Sequence, residues 1–214
     1  MHLGRHAEAM RLGRRARGVF RAQGEWRRVA RLDVNLANVL ERMDRHRSAL
    51  VRYRAAEAMF ATEGAAADLA LTRFNRAGAL AALDRHREAL PLLESSAAVW
   101  RERGMSAAYR QCRLALGSVL FRLGRLADAW AMLEEARQTA AALEDRALLA
   151  TAAALDQARV ESMLNRANEA LGRLETAIDG FTELAMHADR AEALVLRAAL
   201  HARERRDTDA DRDL

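Results

Sequence analysis

The sequence contains no lysine, one cysteine, one proline, and aromatics at only 5% of its 214 residues. Each shortage excludes something. The lone Cys112 cannot close an intramolecular disulfide, so a disulfide-stapled secreted scaffold is out and a reducing compartment fits. Its neighbours Tyr109, Leu114 and Leu116 place it in a packed helix as an inert core thiol. Few aromatics mean a core of small and aliphatic side chains and no stacking platform for single-stranded nucleic acid. Few β-branched residues disfavour a sheet. Long apolar runs are missing too: charges interrupt every stretch, including the opening MHLGRHAEAM, so neither signal peptide nor membrane span is expected. The expected location is the cytoplasm, with no membrane partner.

The basic residues number 35 and are all arginine, against 30 acids, giving a formal charge of +5 and a pI near 10.6. That pI overstates the case for nucleic acid, because arginine stays protonated far above neutrality and the acids are interleaved with it as on solvated helix faces. The one dense basic stretch is Arg11, Arg14, Arg15, Arg17 and Arg21, followed by Arg27, Arg28 and Arg31. It lacks interleaved aromatics and the glycines of a flexible arm, which argues against a nucleic-acid site. Arginine without lysine is a compositional mark of a GC-rich bacterial genome.

What is present is alanine, the commonest residue here and the best helix former, within a chain 51% hydrophobic and 30% charged. It is arranged in repeats. NLANVLERMDRHRSAL (35–50) returns as NRAGALAALDRHREAL (75–90), then as VLFRLGRLADAW (119–130) and VESMLNRANEAL (160–171), with a period of about 40 residues. LGRHAEAM (3–10) is an earlier partial copy. Gly24, Gly64, Gly104 and Asp145 keep the same beat.

Each unit reads as two helices. In the third, the first helix is expected over about 107–123 and ends at Gly124, suited to a left-handed residue after a helix. Asp44, Asp84 and Asn165 hold that place elsewhere. The second is expected over 126–143, with Ala129, Trp130, Met132, Leu133, Ala136 and Ala140 at helical spacing. Ala9, Ala49, Ala89, Ala129 and Ala170 share one slot, where a methyl group lets two helices approach closely. Pro91 falls near the start of its helix, where a missing N–H costs little.

The spacing x-x-L-G, then [GDN]-R, then E-A-L resembles the tetratricopeptide (TPR) family in its longer variety, with Leu116, Gly117, Gly124 and Ala129 as the best matches. The wording is similar to TPR arrays that precede caspase-like CHAT protease domains, and to arrays in bacterial signalling ATPases and regulators. Glu161 departs from the pattern, standing where the family has a large apolar residue. The resemblance implies an all-α, right-handed α-solenoid of antiparallel helix pairs. Its implied divisions are a half repeat over 1–28, repeats over about 29–67, 68–106, 107–147 and 148–187, a final helix over 188–206, and a disordered tail over 207–214. Ala191, Leu194, Leu196 and Leu200 form the expected stripe of the final helix.

The resemblance also implies that the first helices line a concave face holding a peptide or a partner's helix. By position that face takes Val34, Asn35, Asn38, Glu41 and Arg42, then Leu71, Phe74, Asn75 and Gly78. It continues with Gln111, Leu114, Ser118, Phe121 and Arg122, and with Asp156, Arg159, Ser162 and Met163. Asn35 and Asn75 stand where peptide-binding members place asparagine, whose amide can donate to and accept from a peptide backbone. The same asparagines can instead bond their own repeat, and Phe74 and Phe121 can pack on adjacent helices. The implied function is a protein-interaction scaffold; the alternative is a regulatory or sensor segment of a larger protease, signalling ATPase or transcription regulator.

No phosphate loop, nucleophile elbow or paired-carboxylate cleft is present, so no catalysis and no cofactor are expected. His6, His46 and His86 are one repeated loop position, too far apart for a shared metal. The chain opens on a second-type helix with no first helix before it. Val19, Phe20 and Trp26 then form an apolar edge expected to self-associate or to meet more protein.

Overall fold

The computed structural model describes residues 2–140 and 146–203, and all regular structure among them is α-helical. The helices are α1 (His2–Ala22), α2 (Trp26–Glu41), α3 (His46–Thr62), α4 (Ala66–Ala81), α5 (His86–Glu102), α6 (Ser106–Arg122), α7 (Leu126–Ala140), α8 (Arg146–Met163), α9 (Ala167–Glu183) and α10 (His187–Arg203). Asp145, the expected end of the helix after Gly124, and the 207–214 tail lie outside the described residues.

One turn chemistry punctuates the chain. Gly24, Asp44, Gly64, Asp84, Gly104, Gly124 and Asn165 all have positive φ, as the repeat predicts. At each, the next residue's N–H closes back on a carbonyl of the last helical turn. Arg45 donates to Leu40 at 2.9 Å, Arg85 to Leu80 at 2.9 Å and Arg125 to Leu120 at 2.9 Å. This is the bond that satisfies the free carbonyls of a helix end. Ala185 does the same job at φ 53° without glycine's freedom, which the sequence reading did not foresee.

By compactness the chain divides within α6, into residues 1–112 and 113–214. In the first unit, successive helices pack and α2 also touches α4, while α1, α3 and α5 do not touch one another. The first-type helices therefore lie on the inside of the bend and the second-type helices on the outside. In the second unit α8 packs on α7 and α9 and also touches α10.

Small residues set the closest approaches. Ala49, Ala89, Ala129 and Ala170 are fully buried. Ala9, the fifth copy of the slot, is exposed. Gly117 faces Leu133 so closely that a Cβ there would lie 2.6 Å from its side chain. Cys112 is buried and its thiol donates to the Leu93 carbonyl at 3.1 Å. The final helix rests on Ala193, Ala198 and Leu200, with Leu194 and Leu196 half-buried; Ala191 is exposed and drops out of the expected stripe.

Glu161 does not loosen its repeat. It is 3% exposed and accepts from Arg173 Nε at 2.7 Å. Arg173 also donates to Gln157 Oε1 at 2.9 Å, and Gln157 donates to Glu134 at 2.9 Å. A polar chain thus ties α7, α8 and α9 together where an apolar contact is usual.

Candidate functional site

Along the inside of the bend in the first unit, a cleft of about 270 Å³ opens between α2 and α4. Its walls are Arg31, Val34 and Asn35 of α2 and Asp68, Leu71 and Thr72 of α4, with Phe60 of α3 behind. These positions recur one or two helical turns apart, which is why one face of each helix supplies them.

Most polar groups here have internal partners. Asp68 accepts from Arg31 and Arg27, the latter through Nη2 at 2.8 Å. Burial alone would raise the Asp68 carboxyl, but these two guanidiniums outweigh it and hold it below the usual carboxylate range. The Thr72 hydroxyl donates to the Asp68 carbonyl at 2.7 Å. Asn38 Oδ1 lies 2.5 Å from the Tyr53 hydroxyl and receives the Asn75 amide at 3.3 Å. Burial first, then the adjacent Glu41 carboxylate, push Tyr53 well above the ordinary phenol range, so it stays protonated as a donor.

Asn35 is different. It is exposed, and no hydrogen bond engages its side chain among the described contacts of the cleft. Leu71 beside it is 47% exposed. The expected residues therefore separate into two groups. Asn38 and Asn75 are joined to each other and to Tyr53. Phe74 is half-buried, its ring edge-on to Trp100 at 5.3 Å. Arg159 bonds Asp156 and Glu192, and burial raises the Asp156 carboxyl despite Arg159 beside it. These five are held within the fold.

Asn35, Arg42, Gln111 and Arg122 remain exposed, and Ser118 and Phe121 are half-buried. The reading of the sequence missed Arg31 and Asp68, although Arg31 stands in the same repeat register as Leu71 and could have been found by that alignment.

The loop histidines stay with their own repeats: His86 Nε2 is 3.5 Å from Asp84, and His46 is 3.9 Å from Asp44. Among the described residues no group of three or more His, Cys, Asp or Glu could hold a metal ion, and no helix is long and apolar enough to cross a membrane. Leu12, Val19 and Trp26 are each about half exposed at the first helices, while Phe20 is partly covered by the Arg28 guanidinium.

Residues 68–142 match the family model for the tetratricopeptide repeat. No curated protein matches the sequence. Among solved structures, BtubC (BKLC) from P. vanneervenii is similar with a TM-score of 0.76 at 15% identity, covering 99% of this chain and 86% of that one. A signal transduction ATPase with numerous domains and a tetratricopeptide repeat sensor, from Pyrococcus horikoshii, gives 0.72 at 13% identity, over 83% of this chain and 28% of that one. NprR in complex with its cognate peptide NprX gives 0.71 at 13% identity, over 85% and 52%. The repeated turns and the buried alanine slot keep one register with the family match, so residues 68–142 carry the tetratricopeptide repeat and the chain shares the helical-repeat fold of these solved structures.

Proposed function

We propose that the chain is a protein-interaction module with no catalysis of its own, holding an extended peptide or a partner's helix along its first-type helices. The observation that carries this reading is the α2–α4 cleft, where Asn35 presents an uncommitted amide beside a half-exposed Leu71. An amide that donates and accepts, next to an apolar surface, suits a peptide backbone with one apolar side chain. NprR, which shares the fold, is a peptide-binding protein in its complex, and this supports the same class of ligand here.

The test is a pull-down from host extract with wild type against Asn35→Ala/Leu71→Glu, partners being quantified by mass spectrometry. Both residues are exposed, so circular dichroism should be unchanged. Recovery of the specific partner is expected to fall about tenfold, the effect of losing roughly 1.4 kcal/mol. Equal recovery would remove the cleft from the function. Asn75→Ala is the wrong probe, because it also releases Asn38.

A second reading, as the sensor segment of a larger signalling protein, is favoured by the likeness to the Pyrococcus ATPase, of whose length this chain spans 28%.

A further inference from the structure

The basic run on α1 takes no part in the inner cleft. Two of its members, Arg14 and Arg17, line the outside of the bend, where α1 and α3 stand apart and leave a groove of about 720 Å³ over α2. Ala7, Met10, Arg14 and Arg17 form one wall, and Ser48, Val51, Arg52 and Ala55 the other. Both walls repeat at helical spacing. The floor contains Leu40, Met43 and Asp33. Val51 is 66% exposed, an unusual position for a branched aliphatic side chain.

The charges of this groove are unbalanced for an identifiable reason. Asp33 is almost fully buried and takes Arg17 at 2.9 Å and Arg52 at 2.7 Å, so its charge is already matched twice over. Among the described residues Arg14 bonds the Met10 carbonyl of its own helix and no carboxylate. Arg45 is the telling residue. In the same register, Arg85 is paired with Glu88 at 2.7 Å and Arg125 with Asp128 at 2.7 Å. The first repeat has Ser48 where those repeats have the acid, and Arg45, at the groove end, has no ion pair among the described residues.

We infer that this outer groove docks an acidic amphipathic helix of a partner protein. Both walls are helices whose backbone groups are engaged internally, so an extended strand would find no backbone partners there, whereas a helix brings its own satisfied. Its apolar face would meet Met10, Met43 and Val51, and carboxylates at the edges of that face would reach Arg14 and Arg45. A nucleic acid is the poorer fit, because the surface between the arginines is aliphatic and offers no ring for a base.

The proposal is tested by fluorescence anisotropy on the full chain. The probe is a labelled peptide of about 18 residues, long enough for a marginal helix, with Leu at i, i+3, i+4 and i+7 and Glu flanking them. Competitors are the same peptide with Lys for Glu, and an oligo(dT) of roughly 20 nucleotides. The acidic probe should bind and the lysine peptide should not.

Ser48→Glu, which supplies the ion pair that the next two repeats carry, should weaken binding about threefold, the scale of one surface ion pair. Arg14→Glu/Arg45→Glu should weaken it about tenfold or more. Asn35→Ala on the inner face should leave it unchanged, so loss of this site and loss of the inner cleft read out separately. Binding that ignores Ser48→Glu and the double reversal, equal binding of the lysine peptide, or tighter binding of oligo(dT) would each overturn the inference. Ser48→Glu adds an interaction the fold already uses twice, so misfolding does not cloud the result.

Discussion

Ala185 adopts a left-handed φ of 53° at the place where the earlier repeats carry Gly24, Gly64 and Gly104. An L-residue with a Cβ is strained there by about 1–2 kcal/mol, and glycine's extra freedom in the unfolded chain offsets part of the relief. Ala185→Gly should therefore stabilise the protein by about 0.5–1 kcal/mol, measured by urea unfolding; a loss of stability would contradict this backbone assignment. Asp44, Asp84 and Asn165 sit in the same region at lower cost, since their short polar side chains tolerate it. The turns were thus legible residue by residue. Ala185 was not, because alanine carries no local signal for a left-handed turn and only the closing bond from Met186 to Phe181 imposes it.

At the scale of elements, contact between the helices of a pair is fixed by which side chains are missing. A methyl group on Gly117 would meet Leu133, itself fully buried and within a sealed α6–α7 contact. Gly117→Ala, although it favours helix locally, should cost about 1–3 kcal/mol in chemical denaturation, as overpacking does. A stabilised variant would show that the two helices can part freely. The Gly117 and Ala129 slots could be read from the repeat, since small residues recur at fixed register. The rescue of Glu161 could not: its partner Arg173 belongs to the next helix, and only packing brings them within 2.7 Å.

Across the whole molecule, the charges set opposing pH dependences. Hydrogen bonds from Arg137, and then from Gln157 and Gln138, outweigh partial burial and hold Glu134 down at about 2, against an ordinary value of 4.5. A carboxyl lowered on folding contributes stability above its unfolded value and loses it as pH falls toward its folded one. Glu134 and Asp68 both act in that direction. Asp156 acts oppositely: burial raises it, so its contribution is present in acid and lost as pH rises through its folded value. Between pH 4.5 and about 2 the two lowered groups should dominate, and stability should fall. Glu134→Gln should lower stability at pH 7 by about 1 kcal/mol and flatten that acid limb, as followed by urea unfolding at several pH values. A slope unchanged by the substitution would show that Glu134 is not the group responsible.

Composition, period and turn residues were enough to determine helix pairs, because helix propensity, left-handed stops and small-residue slots are local properties that repeat in the chain itself. Which polar groups stay free was decided only by tertiary packing. Asn35, Asn38 and Asn75 look alike in sequence, yet two of them join the Tyr53 network and one is left facing the cleft. Arg27 and Asp68 stand 41 residues apart in the chain, yet they pair at 2.8 Å. A hydrogen bond or ion pair requires a partner within about 3 Å, and the fold, by setting helices side by side, chooses who that partner is.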